Sequence, residues 1–295
     1  MNHVICLFAL LTLSLTACKS PQKEPAEAFR QAGSGSDPEQ VHDIIYSLYL
    51  PTDVAGLFER TGTNYNPEFT APTRHITLYR KPEQMAVMMG VYGVDMSYTK
   101  LFEQSADAGS YYSAIQVLAG KLDIPDPIFE ASSKRLEKHF NNEDSLASVI
   151  EDIYVQTDRY FRENGYENLA ALTLFGGWIE AMYIGVKIYQ EESRSPEMAD
   201  RILQQKYALN SMITLLSNHQ ESLPVAGYLL MLKKLRKQFD RVTIRYPREG
   251  FQVDTARKKI RAADATITYE PETLVQVNNL VRQIRTALIK ADDDS

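Results

Sequence analysis

The chain has 295 residues, 44% of them apolar, and a formal net charge of −6. That is the balance of an ordinary soluble domain, and the about 260 residues beyond the N-terminal segments suffice to bury a core. The only cysteines are Cys6 and Cys18, so no disulfide framework is expected and the core alone must hold the fold.

The first element is Val4–Ala17, an apolar run interrupted only by Thr12, Ser14 and Thr16. It is shorter than the about 20 residues a membrane helix needs, and it reads as the h-region of an export signal. Its last residues, Leu15-Thr16-Ala17-Cys18, resemble the lipobox of bacterial lipoproteins. The resemblance implies cleavage before Cys18, a diacylglycerol on the Cys18 thiol and, in Gram-negative bacteria, a third chain on the freed amine. Met1-Asn2-His3 carries no Lys or Arg, a departure that leaves room for a start upstream. An ordinary secretory signal or a buried apolar helix are the competing readings. Lys19–Ser36, ending in Gly33-Ser34-Gly35-Ser36, is too polar to order itself. As a flexible tether it would reach roughly 25 Å.

Residues 37–290 are expected to form a single all-α antiparallel domain of about nine or ten helices, followed by an acidic tail at 291–295. Asp37-Pro38-Glu39-Gln40 has helix-start chemistry, and Val41, Ile44, Ile45 and Leu48 follow at helical spacing up to Pro51. A short helix is expected from Thr52 to Arg60. Pro82–Gln104, Ser110–Leu122 and Pro127–Phe140 come next. Asp144–Asn164 has the stripe Leu146, Val149, Ile150, Ile153, Thr157, Tyr160, Phe161, with Gly165 as its C-cap glycine. Asn168–Gln190 is apolar nearly all round and reads as the central buried helix. Pro196–His219 and Pro224–Arg241 each begin near a proline. Val242–Tyr246 and Thr266–Tyr269 alternate as strands and would pair as a small antiparallel ribbon across an insert. Pro271–Lys290 closes the domain with Leu274, Val277, Val281, Ile284 and Leu288.

No chemistry announces itself. His42, His75, His139 and His219 stand at no metal-ligand spacing, and HExxH, paired-Cys, G-x-S-x-G and P-loop patterns are absent from the sequence. No catalytic residue, metal or cofactor is therefore expected, and an enzyme is the least favoured class. Two carboxylates stand out. Asp95 lies in Gly90-Val91-Tyr92-Gly93-Val94-Asp95-Met96-Ser97-Tyr98 and Glu180 in Gly176-Gly177-Trp178-Ile179-Glu180-Ala181-Met182-Tyr183. Each sits inside an apolar helix, beside glycines that permit close backbone approach, and burial there costs several kcal/mol unless the group is paired. Either Tyr or Arg partners satisfy both in a polar core, or Tyr92, Asp95, Tyr98, Trp178, Glu180 and Tyr183 line a cleft for a small apolar or aromatic ligand. The remaining alternative points one or both to solvent.

Charge is uneven. Lys233, Lys234, Arg236, Lys237, Arg241, Arg245, Arg248, Arg257, Lys258, Lys259 and Arg261 are opposed only by Asp240, Glu249 and Asp254. This basic patch could rest on anionic headgroups or phosphates, dock an acidic envelope protein, or be a solvated face balanced by its neighbours. Nucleic acid is not expected.

Three stretches occur in order: Leu50-Pro51-Thr52-Asp53 to Gly62-Thr63-Asn64-Tyr65-Asn66, then Gly90–Tyr98, then Gly176–Tyr183. In them the chain resembles uncharacterised all-helical outer-membrane lipoproteins of Gram-negative bacteria of the Bacteroidota type, over roughly Gln40 to Arg248. The resemblance implies a helical fold and an envelope location, and it transfers no catalytic residue. Surface display in such bacteria usually needs acidic residues after the acylated Cys. Lys19-Ser20-Pro21-Gln22 departs from that, which favours the periplasmic face of the outer membrane. The reading that follows is a lipid-anchored, non-enzymatic interaction or scaffold protein; the alternative is a periplasmic binding module using the cleft.

Overall fold

The computed structural model describes residues 62–130, 134, 143–245, 251–254, 259–262 and 265–290. The chain divides into Met1–Ser34 and Gly35–Ser295, and every described residue belongs to the second unit. The apolar run, Cys18, the tether, the two helices expected between Asp37 and Arg60, Arg257, Lys258 and the acidic tail lie outside the described residues.

The fold is all-α with a minor antiparallel β ribbon. Among the described residues its helices are α1 (Pro82–Leu101), α2 (Ser105–Lys121), α3 (Glu143–Glu163), α4 (Glu167–Ile188), α5 (Pro196–Gln204), α6 (Lys206–Ser217), α7 (Leu223–Phe239) and α8 (Pro271–Ile289). Residues 126–130 and 134 are also helical, beginning one residue before the span expected from Pro127 to Phe140. Proline stands in the first turn of α1, α5, α7 and α8, where its missing N–H is an orphan anyway and its fixed φ suits the helix. Gly165 follows α3 with φ 79°, the left-handed position a glycine reaches without a Cβ penalty.

α1 and α4 are apolar on every side and form the centre. Residues 171–180 are buried without interruption, as expected for the helix read from Asn168 to Gln190. This helix has the length and hydropathy of a membrane span, yet 83% of its most apolar window is buried inside the protein. The two helices touch backbone to backbone. A Cβ on Gly90 would stand 1.9 Å from the Thr173 carbonyl oxygen, and one on Gly176 would stand 2.1 Å from that of Val87. α2 packs on α1, α3 on α4, and α6, α7 and α8 build the other side.

Four boundaries differ from the sequence expectation. α1 stops at Leu101 because the chain turns at Glu103 into a left-handed conformation, φ 58°. α2 starts five residues before Ser110, at Ser105. α4 gives way to a π-helical turn, Tyr189–Ser193. The span Pro196–His219 is two helices, broken at Gln205, whose side chain accepts a hydrogen bond from the Trp178 indole at 3.2 Å.

The ribbon forms where alternation placed it. β1 (Thr243–Arg245) pairs antiparallel with β4 (Thr266–Thr268) in the register Thr243↔Thr268, Ile244↔Ile267, Arg245↔Thr266. The insert adds a second antiparallel pair, β2 (Phe251–Asp254) with β3 (Lys259–Ala262). Closing the ribbon at Thr243 and Thr268 brings the end of α7 next to the start of α8, so these two helices pack as antiparallel neighbours.

Candidate functional site

α1 carries Asp95 and α4 carries Glu180, and the close crossing of the two helices puts both side chains in the same buried interior. Each is 0% exposed. α8 supplies the third member, Arg285, which faces the core from within the apolar stripe of that helix. Arg285 Nε donates to Glu180 Oε2 at 3.0 Å and Nη2 donates to Oε1 at 2.9 Å. This two-pronged geometry is the strong form of the carboxylate–guanidinium pair. The guanidinium also lies over the Tyr183 ring, 4.3 Å from its centroid. Burial alone would lower the Arg285 pKa, but the Glu180 charge and hydrogen bonds outweigh it and hold the cation firmly ionised.

Asp95 is held differently. Its Oδ2 accepts from the Ala71 N–H at 3.0 Å, while Oδ1 receives no donor. Burial, then the charge on Glu180, push the Asp95 carboxyl well above the usual carboxylate range. Glu180 is the nearby charge that acts on Asp95 most strongly, and it opposes a second negative charge in the same buried interior. Burial and the neighbouring Glu180 charge both favour the protonated form of Asp95 over the ionised one. With Asp95 protonated, the Glu180–Arg285 ion pair leaves the triad without net charge, the arrangement that costs least in a buried site.

A tyrosine shell closes the group. The Tyr92 hydroxyl donates to the Pro72 carbonyl at 3.2 Å, Tyr111 to that of Ala71 at 3.0 Å, and Tyr79 to that of Ile289 at 3.1 Å. Burial raises the pKa of all three, so they are neutral donors. Their acceptors, apart from Ile289, belong to the irregular segment ahead of α1, whose 3-10 turns Pro67–Phe69 and Thr73–His75 lay its backbone across the carboxyl pair. That segment has no periodicity to announce it.

The sequence-singled residues therefore divide. Tyr92, Asp95, Glu180 and, through Arg285, Tyr183 are brought together. Tyr98 accepts from the Asn66 N–H at 3.0 Å and packs with Tyr65 and Phe102. Trp178 is fully buried and turned toward Gln205. It lies two residues from Glu180, roughly 200° round the helix. Sequence reading missed Arg285, and the available signal was its place beside Ile284 on the core stripe of the last helix.

Tyr92, Asp95, Tyr98, Trp178 and Glu180 are buried and Tyr183 is half-buried. An open depression of about 190 Å³ lies elsewhere, between α2 and the segment that follows it, lined by residues such as Gln116, Ile124 and Phe129. It is smaller than the roughly 300–1,000 Å³ typical of small-molecule sites. Among the described residues no group of three His, Cys, Asp or Glu is placed to hold a metal. The described part of the basic segment is on the surface: Lys233, Lys234, Arg236, Lys237, Arg241 and Arg245 are exposed, and none of them forms an ion pair among the described residues. Lys259 and Arg261 lie on β3, opposite Asp254 and Gln252. Comparison with protein-family models, curated proteins and solved structures returns no match.

Proposed function

We propose that this chain is a lipid-anchored envelope protein that works as a non-enzymatic interaction or scaffold module, held through Cys18 on the periplasmic face of the outer membrane. The observation that carries the reading is the closure of Asp95 and Glu180. Among the described residues both buried carboxylates are closed off from solvent and Glu180 is paired with Arg285, so work at the exterior is the simpler assignment. The lipobox-like Leu15–Cys18 and the polar stretch after it support the anchor, and the unpaired cations on α7 and beyond it support contact with an anionic surface or partner.

The test is native mass spectrometry of the protein extracted gently from its own membrane. The expected result is an acyl mass on Cys18 together with an added mass of protein or lipid size. A bare thiol at Cys18 would sink the anchored reading. A stoichiometric small-molecule mass would overturn the scaffold reading in favour of a ligand-binding module. Protease treatment of intact cells checks the face: removal of the domain would place it on the outside.

A further inference from the structure

α7 is covered on one side by α6 and α8 and presents its other side to solvent. On the buried side stand Val225, Leu229, Leu232, Leu235 and Phe239. On the opposite side Leu223, Gly227, Leu230, Lys234 and Lys237 fall at i, i+4, i+7, i+11 and i+14, one straight line on a helix, with Arg241 just past its end. Leu223 is 86% exposed and Leu230 64%. Between them Gly227 leaves the surface open, since a Cβ there would meet nothing within 4 Å. Lys234, Lys237 and Arg241 are exposed and without ion-pair partners among the described residues. Part of this charge suits the helix itself, because cations in the last turn face the negative end of its dipole. That does not account for Lys234 a turn earlier, nor for two bare leucines on the same line.

We propose that this strip of α7 is a docking surface for an anionic lipid bilayer, Leu223 and Leu230 entering the headgroup boundary and Lys234, Lys237 and Arg241 resting on phosphates. The inference rests on the membrane-anchored reading above and names the partner. The pattern of apolar and basic side chains on one exposed helical line is that of elements lying in a membrane interface. The strip is convex and about 25 Å long, which matches a flat, laterally uniform anionic plane; an acidic protein would need a complementary concave groove. Such contact would give the body a defined orientation at the membrane.

The experiment uses the full chain with Cys6 and Cys18 replaced by Ser and an environment-sensitive fluorophore on Leu230→Cys. A matched chain carries the label on Val117→Cys, an exposed position of α2. Both are mixed with vesicles of phosphatidylcholine alone or of phosphatidylcholine with phosphatidylglycerol. The label at 230 is expected to shift to the blue with anionic vesicles only, and to return in high salt, while the label at 117 stays. Lys234→Gln with Lys237→Gln should weaken the response about five-fold per charge removed, near 25-fold together. An unshifted label at 230 with anionic vesicles overturns the proposal and leaves the strip to an acidic protein. An equal shift at 117, or in neutral vesicles, overturns it too. Acylation of Cys18 in the unsubstituted chain is read separately by mass, so the anchor and the strip fail independently.

Discussion

The raised pKa of buried Asp95 ties stability to pH in a direction opposite to that of most carboxylates. In the unfolded chain Asp95 ionises near its ordinary pKa of about 4; in the folded protein it keeps its proton to a much higher pH. The native state therefore binds more protons, and stability falls as pH rises from about 4 through the raised folded value. Asp95→Asn keeps the shape, still accepts from the Ala71 N–H and can donate to Glu180, but does not titrate. Urea unfolding of both proteins over that window is expected to show the wild type losing stability relative to the variant as pH rises. A difference that stays flat would mean that Asp95 is ionised in the fold. Arg285 is tested on the same scale. Arg285→Met strands Glu180 in the core and should cost about 3–5 kcal/mol. Adding Glu180→Leu should restore most of that loss, because an apolar pair of similar volume replaces the ionic one. If the double variant is as unstable as the single one, the pair is not what Arg285 contributes.

At the scale of elements the crossing of α1 and α4 decides whether the triad can assemble. Gly90 and Gly176 contact the partner helix through backbone, so the obstacle to a methyl group is a carbonyl oxygen rather than a movable side chain. Gly90→Ala or Gly176→Ala is predicted to cost about 3 kcal/mol or more by forcing the helices apart. Gly120→Ala, where a Cβ meets nothing within 4 Å, should be neutral or slightly stabilising by helix propensity. Thermal unfolding of the three variants checks the contrast, and a mild effect at Gly90 would mean that the crossing yields. The glycines were legible in the sequence as points of close approach, and so was the buried character of α4, because both are written in side-chain pattern. The partners of Asp95 and Tyr92 were not. Ala71 and Pro72 act through a backbone N–H and a carbonyl, which leave no side-chain signature. The break at Gln205 was also hidden, since it answers to Trp178 in a helix far away in sequence.

Over the whole molecule, the helical body and the ribbon answer to different forces. The body is held by a core that continues from α1 through α8, whereas the ribbon leaves it at Thr243 and returns at Thr268 with its base already paired. Alternation in Val242–Tyr246 and Thr266–Tyr269 was enough to show that base. The inner pair β2–β3 alternates too, in Phe251-Gln252-Val253-Asp254 and Lys259-Ile260-Arg261-Ala262, but each strand is only four residues long and goes unread inside a segment read for its charge. The separation predicts that the insert is dispensable for folding. Replacing residues 246–265 with Asn-Gly joins Arg245 to Thr266 across a two-residue turn of the kind that suits an antiparallel pair. The body should then melt within about 2 °C of the parent, since Ile244 and Ile267, the ribbon residues that pack against the core, are kept. The deletion removes Arg248, Arg257, Lys258, Lys259 and Arg261 against Glu249, Asp254 and Asp264, and leaves the α7 strip intact. In the vesicle experiment the label at position 230 should still shift, with a salt sensitivity reduced only in proportion to that modest loss of net positive charge. If the shift disappears with the insert, the ribbon and not α7 makes the contact. A collapse in melting temperature would instead show that the ribbon braces α7 against α8, which would make it part of the fold.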